Sequence, residues 1–486
     1  MEDLPDALLA EIIKRVTERN DLNSLSLVSK RLFAIEAEQK ECIHVGCGLC
    51  LKTEELVSLF SRFTSLWKVE IDYAGWTPSH GDQLDNHDLF VISSHCPSLT
   101  DLTLSFCSQI NDSGLGCLAY CKKLVSLRLN SLPEVTSNGL LSVAVGCNSL
   151  SGLFLINCEE IGSAEWLEYL GWKGILEKLV VKKCKGISQY DLVKFGSGWT
   201  KLQKFDFEMK SPWGVHSSCE YGFDPMYNAH NPTRYDFCCE SLKDLRLAHF
   251  KAGTDVGLRF ILGKCKALEK LCLEYVYGLN DNDMIVLSES CHNLKSISLW
   301  LKPVHNDDLD GDGFRTAFTD NSLKALALNC PMLEAVKLTF ADCDTFYPSE
   351  IGFTQKGLVV LMQSCPIRAL VLNGANFFDD EGMMALSSAP LLQKLELVDC
   401  SEITDVGLLL IARSPRLINL TLRLCELVTD VGVVELVRSQ KLESLIIEGC
   451  RRVSEQAVLG TGRSVQYSGE TASLGEVKRI YPLLYV

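Results

Sequence analysis

Apolar residues return along this chain as Leu-x-x-Leu-x-Leu, with the first apolar position at 66, 99, 124, 150, 176, 202, 242, 268, 294, 333, 367, 392, 417 and 442. Nine of the thirteen spacings are 25 or 26 residues, so the pattern is an internal repeat. In the copy Leu99-Thr-Asp-Leu102-Thr-Leu104-Ser105, Leu102 and Leu104 fall on one side and Asp101, Thr103 and Ser105 on the other, the alternation of a short strand. A second block follows the strand: Ile403-Thr-Asp-Val-Gly-Leu408, echoed by Ile110-Asn-Asp-Ser-Gly-Leu115, Val135-Thr-Ser-Asn-Gly-Leu140 and Val428-Thr-Asp-Val-Gly-Val433. Its Thr, Asn or Asp suits a helix N-cap, and apolar residues such as Leu408, Ile411 and Ala412 give the helix one buried face. Each copy therefore predicts strand, turn and helix.

Units of this kind cannot bury an apolar face alone and must stack. The predicted fold is α/β: a leucine-rich-repeat solenoid of about fourteen repeats over residues 63–460, a horseshoe with a parallel sheet on its concave face and helices on its convex face. Residues 1–40 form a separate helical module, 41–62 a linker or N-terminal cap, and 461–486 a C-terminal cap or tail. Four longer spacings mark insertions near 73–85, 209–237, 302–318 and 341–353, all leaving after a strand and so emerging on one rim. The stretch 209–237 carries Trp213, Tyr221, Phe223, Tyr227, Tyr235 and Phe237; so apolar a segment is expected to fold back on the rim or inner face.

The N-terminal module reads Leu4-Pro5-Asp-Ala-Leu8-Leu9-Ala-Glu-Ile12-Ile13, one apolar helical face, followed by Leu22-Asn-Ser-Leu25-Ser-Leu27-Val28-Ser-Lys-Arg-Leu32-Phe33. Forty residues cannot cover that much apolar surface alone, which points to a partner. Leu-Pro-Asp-x-Leu-Leu with Leu-x-Leu-Val-Ser-Lys-Arg-Leu resembles the F-box. Together with cysteine-containing repeats it is similar to the F-box/leucine-rich-repeat proteins, especially those of plants, and differs from many of them in carrying Leu32-Phe33 near a usual Trp. The resemblance implies a three-helix F-box that binds a Skp-type adaptor and, through it, a cullin, while the repeats hold a protein substrate for ubiquitination. Carried over by position, Leu4, Pro5, Leu8, Ile12, Leu25, Val28 and Leu32 form or support the adaptor interface.

The net charge of −15 argues against nucleic acid as a partner, and no run of about 18 apolar residues suggests a membrane span. Fourteen of the 22 cysteines occupy two repeat slots: Cys107, Cys158, Cys184, Cys400, Cys425 and Cys450 just past the strand, and Cys96, Cys121, Cys147, Cys239, Cys265, Cys291, Cys330 and Cys365 before it. Reduced core thiols and a cytoplasmic or nuclear location follow. Cys42, His44, Cys47 and Cys50 are too cramped for a zinc site, and Asp308-Leu-Asp-Gly-Asp-Gly313 lacks the carboxylate of a calcium loop, with Thr319 at its twelfth position. Cys219 beside His216 makes no catalytic pair. The reading is therefore non-enzymatic, without metal or cofactor. The candidate contacts to substrate or ligand are the inner-face and rim residues Arg128, Phe154, Lys204, Asp206, Trp213, Tyr221, Phe223, Tyr227, Arg246, Trp300 and Arg423. Two other classes fit the same residues: a small-molecule sensor whose rim loops and ligand complete the substrate site, and a ligase-independent repeat scaffold.

Overall fold

The computed structural model describes residues 4–16, 19–46, 53–63, 65–163, 165–184, 187, 199–210, 239–250, 264–276, 279–301, 318–340, 352–438, 442–458 and 465–468. The chain divides into two compact units, Met1–Cys238 and Cys239–Val486.

The first unit opens with three helices, α1 (Asp6–Lys14), α2 (Arg19–Val28) and α3 (Lys30–Gln39). Ser29 caps α3 by accepting from the Leu32 amide at 3.1 Å. Leu9, Ile13, Leu32 and Ile35 close a small core with Leu4 and Ala10 packed against it. Seven strands follow, β1 (Cys42–Gly46), β2 (Lys68–Asp72), β3 (Asp101–Ser105), β4 (Ser126–Asn130), β5 (Gly152–Ile156), β6 (Lys178–Lys182) and β7 (Lys204–Glu208). Each pairs in parallel with the next. Between them run α4 (Thr53–Arg62), α5 (Asn86–His95), α6 (Asp112–Cys117), α7 (Ser137–Gly146) and α8 (Glu165–Lys173).

The second unit repeats the plan with β8 (Asp244–Ala248), β9 (Lys270–Glu274), β10 (Ser296–Leu301), β11 (Ala335–Phe340), β12 (Ala369–Asn373), β13 (Lys394–Val398), β14 (Asn419–Arg423), β15 (Ser444–Glu448) and β16 (Val465–Ser468). Its strands are again parallel and in chain order. Its helices are α9 (Asp281–Ser290), α10 (Asp320–Asn329), α11 (Gln355–Ser364), α12 (Asp380–Ser387), α13 (Asp405–Ile411) and α14 (Asp430–Arg438). This is the leucine-rich-repeat solenoid fold that the periodicity predicts. The sheet extends past the fourteen copies: β1 lies in the segment read as a linker, with Ile43 and Val45 buried, and β16 lies in the segment read as a tail.

Three devices recur between successive repeats. At strand ends Phe106, Ser131, Asn157, Lys183, His249, Tyr275, Asp399 and Leu424 have φ between 50° and 62°, with Gly374 and Gly449 in the same slot. That conformation costs a non-glycine residue about 1–2 kcal/mol, but it turns the amide toward the following repeat, as Phe106 N–H donates to the Asn130 carbonyl at 2.8 Å. The slot cysteines are the second device: Cys400 Sγ donates to Leu372 O at 3.7 Å and Cys425 Sγ to Leu397 O at 3.7 Å. On the other side of the repeat, Cys147 Sγ donates to Leu118 O at 3.3 Å. A small weak donor suits a buried position that offers only backbone carbonyls, as Cys400 also reaches Val398 O at 3.5 Å.

The third device is a ladder of side chains along the helix N-termini. Thr136 and Thr404 cap α7 and α13 with their own hydroxyls. The hydroxyls and amides of these residues donate to the aspartate of the preceding repeat, Asp112 and Asp380. The same step joins Asp281 to Thr319, Asp320 to Thr354, Asp405 to Thr429 and Asp430 to Ser454. Burial pushes the Asp281 carboxyl up, yet hydrogen bonds from the Ser322 and Thr319 hydroxyls and backbone amides hold it below the usual carboxylate range. Thr319, the last position of the calcium-like pattern, is thus a helix cap.

The first insertion, after β2, folds down: the hydroxyl of buried Tyr73 accepts from the Leu84 amide at 3.1 Å, and Trp76 Nε1 donates to Gly81 O at 2.9 Å.

Candidate functional site

Three surfaces carry side chains that the fold does not use for its own core. The first is on the N-terminal helices. Leu8 is 52% exposed and Ile12 49% exposed on α1, while Leu27 and Val28 at the end of α2 are 86% and 71% exposed. Pro5 is exposed too, and Leu4 and Leu25 are half-buried. Leu32 is buried at 6%, so it supports the helices from within and offers no surface. The α1 face is thus split lengthwise, with Leu9 and Ile13 inward and Leu8 and Ile12 outward, as a helix with apolar residues on two adjacent stripes requires. Arg31 fastens the module, pairing with Asp6 at 2.6 Å and donating to the Leu4 carbonyl. Arg62 of α4 joins it to the repeats, lying 3.5 Å from the Phe33 ring centroid and 2.7 Å from Glu36.

The second surface is the face of the first unit's sheet where alternate residues stay accessible, its open face. Arg128 on β4 is exposed, and its guanidinium lies 4.4 Å from the ring centroid of half-buried Phe154 on β5. Register places Arg128 beside Phe154 and Phe154 beside Val180. Lys204 and Asp206 sit on β7. Asp206 is only 7% exposed and pairs with Lys182 at 2.9 Å, so it holds a neighbouring strand more than it presents a contact.

The third is the open face of the second unit. Arg246 makes a two-point contact with Glu274, Nε to Oε1 at 3.0 Å and Nη2 to Oε2 at 2.5 Å. Trp300 is half-buried, meets Tyr275 edge-on at 5.9 Å, and has Lys337 Nζ 5.2 Å from its ring centroid; Tyr275 in turn stacks on His249 at 5.3 Å. Arg423 sits between Glu396 at 3.2 Å and Glu448 at 2.7 Å. Arg246 and Trp300 lie on neighbouring parts of the sheet, and Arg423 stands several strands away. Tyr275 and His249 escape a sequence reading because the residues that bring them to Trp300 are a repeat or more distant. Among the described charged residues on this face, Arg246 and Arg423 are both neutralised by carboxylates on adjacent strands.

Trp213, Tyr221, Phe223 and Tyr227 lie outside the described residues, as do most of the insertions at 209–237, 302–318 and 341–353, Cys47 and Cys50, Asp308–Gly313, and the Cys219–His216 pair. His44 stands on β1 with Nδ1 3.6 Å from Glu70. Burial pushes the Cys107, Cys121 and Cys400 thiols up to about 12, which suits packing and hydrogen bonding rather than nucleophilic attack. None of the described helices is long and apolar enough to cross a membrane.

The described residues have a leucine-rich-repeat solenoid fold preceded by an N-terminal helical module. Residues 95–119 and 388–412 match the Leucine Rich repeat family. The chain is similar to Coronatine-insensitive protein 1 of Arabidopsis thaliana, 22% identical over 481 residues that cover 78% of each chain. It is also similar to F-box/LRR-repeat protein 4 of Bos taurus, 30% identical over 155 residues, which are 31% of this chain and 24% of that one. Among solved structures, the yeast Rad7 and Elc1 complex gives a TM-score of 0.41 at 15% identity, covering 95% of this chain and 92% of that chain.

Proposed function

We propose that this protein is the substrate-recognition subunit of a Skp-cullin-F-box ubiquitin ligase. The helices α1–α3 dock a Skp-type adaptor and, through it, a cullin, and the open faces of the repeats hold the protein to be ubiquitinated. Catalysis belongs to the other subunits. The observation that carries the reading is the exposure of Leu8, Ile12, Leu27 and Val28 beside a core as small as Leu9, Ile13, Leu32 and Ile35. Leaving four large apolar side chains in water forgoes about 1.5–3 kcal/mol for each one that a partner could fully cover, so a module built this way is stabilised by association. The similarity to an F-box/LRR-repeat protein supports the same reading.

The test is co-purification with a recombinant Skp-type adaptor. Leu8→Asp combined with Ile12→Asp places two charges on the outward stripe without touching the core, and adaptor recovery is expected to fall at least about tenfold while far-UV circular dichroism stays unchanged. Undiminished recovery by the double variant contradicts the proposal.

A further inference from the structure

Several of the cations on the open faces already have carboxylates. Lys68 reaches Glu70 at 2.7 Å, Lys182 reaches Asp206 at 2.9 Å, Arg246 reaches Glu274, and Arg423 has both Glu396 and Glu448. With 62 acidic residues against 47 basic ones, acidic partners are plentiful in this chain. Arg128 and Lys178 depart from the pattern, as Lys270 and Lys337 do in the second unit: among the described residues no carboxylate pairs with either, and both Arg128 and Lys178 are exposed. They bracket one aromatic ring. Phe154 stands in register between Arg128 of β4 and Val180 of β6, and Lys178 is the β6 residue in register with Gly152, two positions before Phe154. Gly152 carries no side chain, and the Phe154 ring edge lies 3.3 Å from where its Cβ would be; the ring is half-buried, with the Arg128 guanidinium 4.4 Å from its centroid and the neighbouring Val180 buried.

We infer that the β4–β6 patch of Arg128, Phe154 and Lys178 binds an extended acidic peptide segment of the substrate, with an apolar side chain on Phe154 and a carboxylate at each cation. Strands two apart are separated by about 9.6 Å, and the two-residue offset between Arg128 and Lys178 adds about 6.6 Å along the strand, a diagonal of roughly 12 Å; an extended peptide covers that distance in about three to four residues at 3.3–3.6 Å each. The sequence recognised therefore carries two Asp or Glu residues three or four positions apart with an apolar residue between them. The charge complementarity is local to the patch: Arg128 and Lys178 break no ion pair to meet a carboxylate, and the guanidinium already lies beside the Phe154 ring. The inference rests on the proposal that the open face holds the substrate, and it names the chemistry of that substrate.

The experiment pans a displayed library of random 12-residue peptides against the full-length chain, then measures the enriched peptides by fluorescence anisotropy. Two variants carry the same change in charge: Arg128→Glu with Lys178→Glu on the patch, and Lys122→Glu with Lys123→Glu on an exposed turn off the sheet. Expected are enriched peptides of the acidic, apolar, acidic type, with affinity at least about tenfold lower for the patch variant, near parental for the turn variant, and falling as salt rises from 50 to 300 mM. Neutral or basic enriched peptides overturn the inference, as does equal binding of acidic ones to the patch variant or no enrichment above background. Tighter binding of a dT 12-mer through the same two cations assigns the patch to nucleic acid and overturns it too. Adaptor co-purification from the same preparation separates the two proposals: its loss alone strikes the ligase reading and leaves the peptide result standing.

Discussion

Replacing Gly139 by alanine tests whether the repeats are joined by the aspartate ladder or simply stacked by apolar contact. A Cβ at position 139 would lie 2.5 Å from Asp112 Oδ1, 3.2 Å from its Cγ and 3.1 Å from its Cα. The last distance involves backbone, so rotating the Asp112 side chain does not relieve the clash. Asp112 accepts from the Thr136 amide at 2.8 Å and the Thr136 hydroxyl at 2.6 Å, and displacing α6 from α7 weakens both. Hydrogen bonds to a charged acceptor contribute about 1.5–3 kcal/mol each, against which alanine gains about 1 kcal/mol of helix propensity over glycine. Gly139→Ala is expected to destabilise the protein by roughly 1–4 kcal/mol after that offset. Gly116, in the neighbouring helix α6, has nothing within 4 Å of its would-be Cβ, so Gly116→Ala is expected to stabilise by about 0.5–1 kcal/mol. The two changes are chemically identical and opposite in sign. Urea unfolding followed by far-UV circular dichroism, with hydrogen exchange at the α6 and α7 amides to localise the effect, reads both. A repeat array can unfold in segments, so the local exchange rates decide where the global transition is broad. Equal midpoints for the two variants, or a Gly139→Ala protein as stable as the parent, refute the ladder as a structural tie.

Other consequences can be measured on the same protein. Because the Asp281 carboxyl is held low in the folded chain, its contribution is fully present above the ordinary value of 3.8 and is lost as the pH falls through the lowered folded value; Asp281→Asn should flatten the acid limb of the stability curve, and an unchanged limb contradicts this. Iodoacetamide at pH 8 should modify exposed Cys42 in the native protein and spare Cys107, Cys121 and Cys400, whose thiols are pushed up to about 12; rapid labelling of the three in mass spectra would show that the repeat slots open to solvent. Glu448→Gln should leave Arg423 paired with Glu396 and change the unfolding free energy by no more than about 1 kcal/mol, whereas Glu396→Gln with Glu448→Gln should cost more than the two single changes added.

The strands were legible because a repeat states its own register: β2 to β15 each begin two residues after the first apolar position of a copy. β1 and β16 escaped because neither Cys42–Gly46 nor Val465–Ser468 carries the full Leu-x-x-Leu-x-Leu, and only pairing with a neighbouring strand defines them. The helix caps were legible as residue types, but the partners of Asp112 and Asp380 lie 24 residues on, beyond any local signal. The recurring Thr-Asp-x-Gly spacing held that information, since the glycine makes room for the preceding aspartate. The rim geometry was hidden, because Phe106, Tyr275 and Leu424 hold a left-handed conformation that their side chains give no reason to expect. Among the candidate contacts, alternation placed Arg128, Phe154 and Trp300 on the accessible side of the sheet; it could not tell that Asp206 is covered by its own ion pair or that Leu32 faces the helical core.

Hydrogen exchange on the purified full-length chain, with and without a recombinant Skp-type adaptor, tests the receptor proposal most directly. The account predicts protection of α1 and the α2–α3 junction, around Leu8, Ile12, Leu27 and Val28, with the amides of β3 to β6 unchanged so that the Arg128 and Phe154 face stays open for a substrate. Protection confined to the repeat strands, or no change on adding the adaptor, would contradict it.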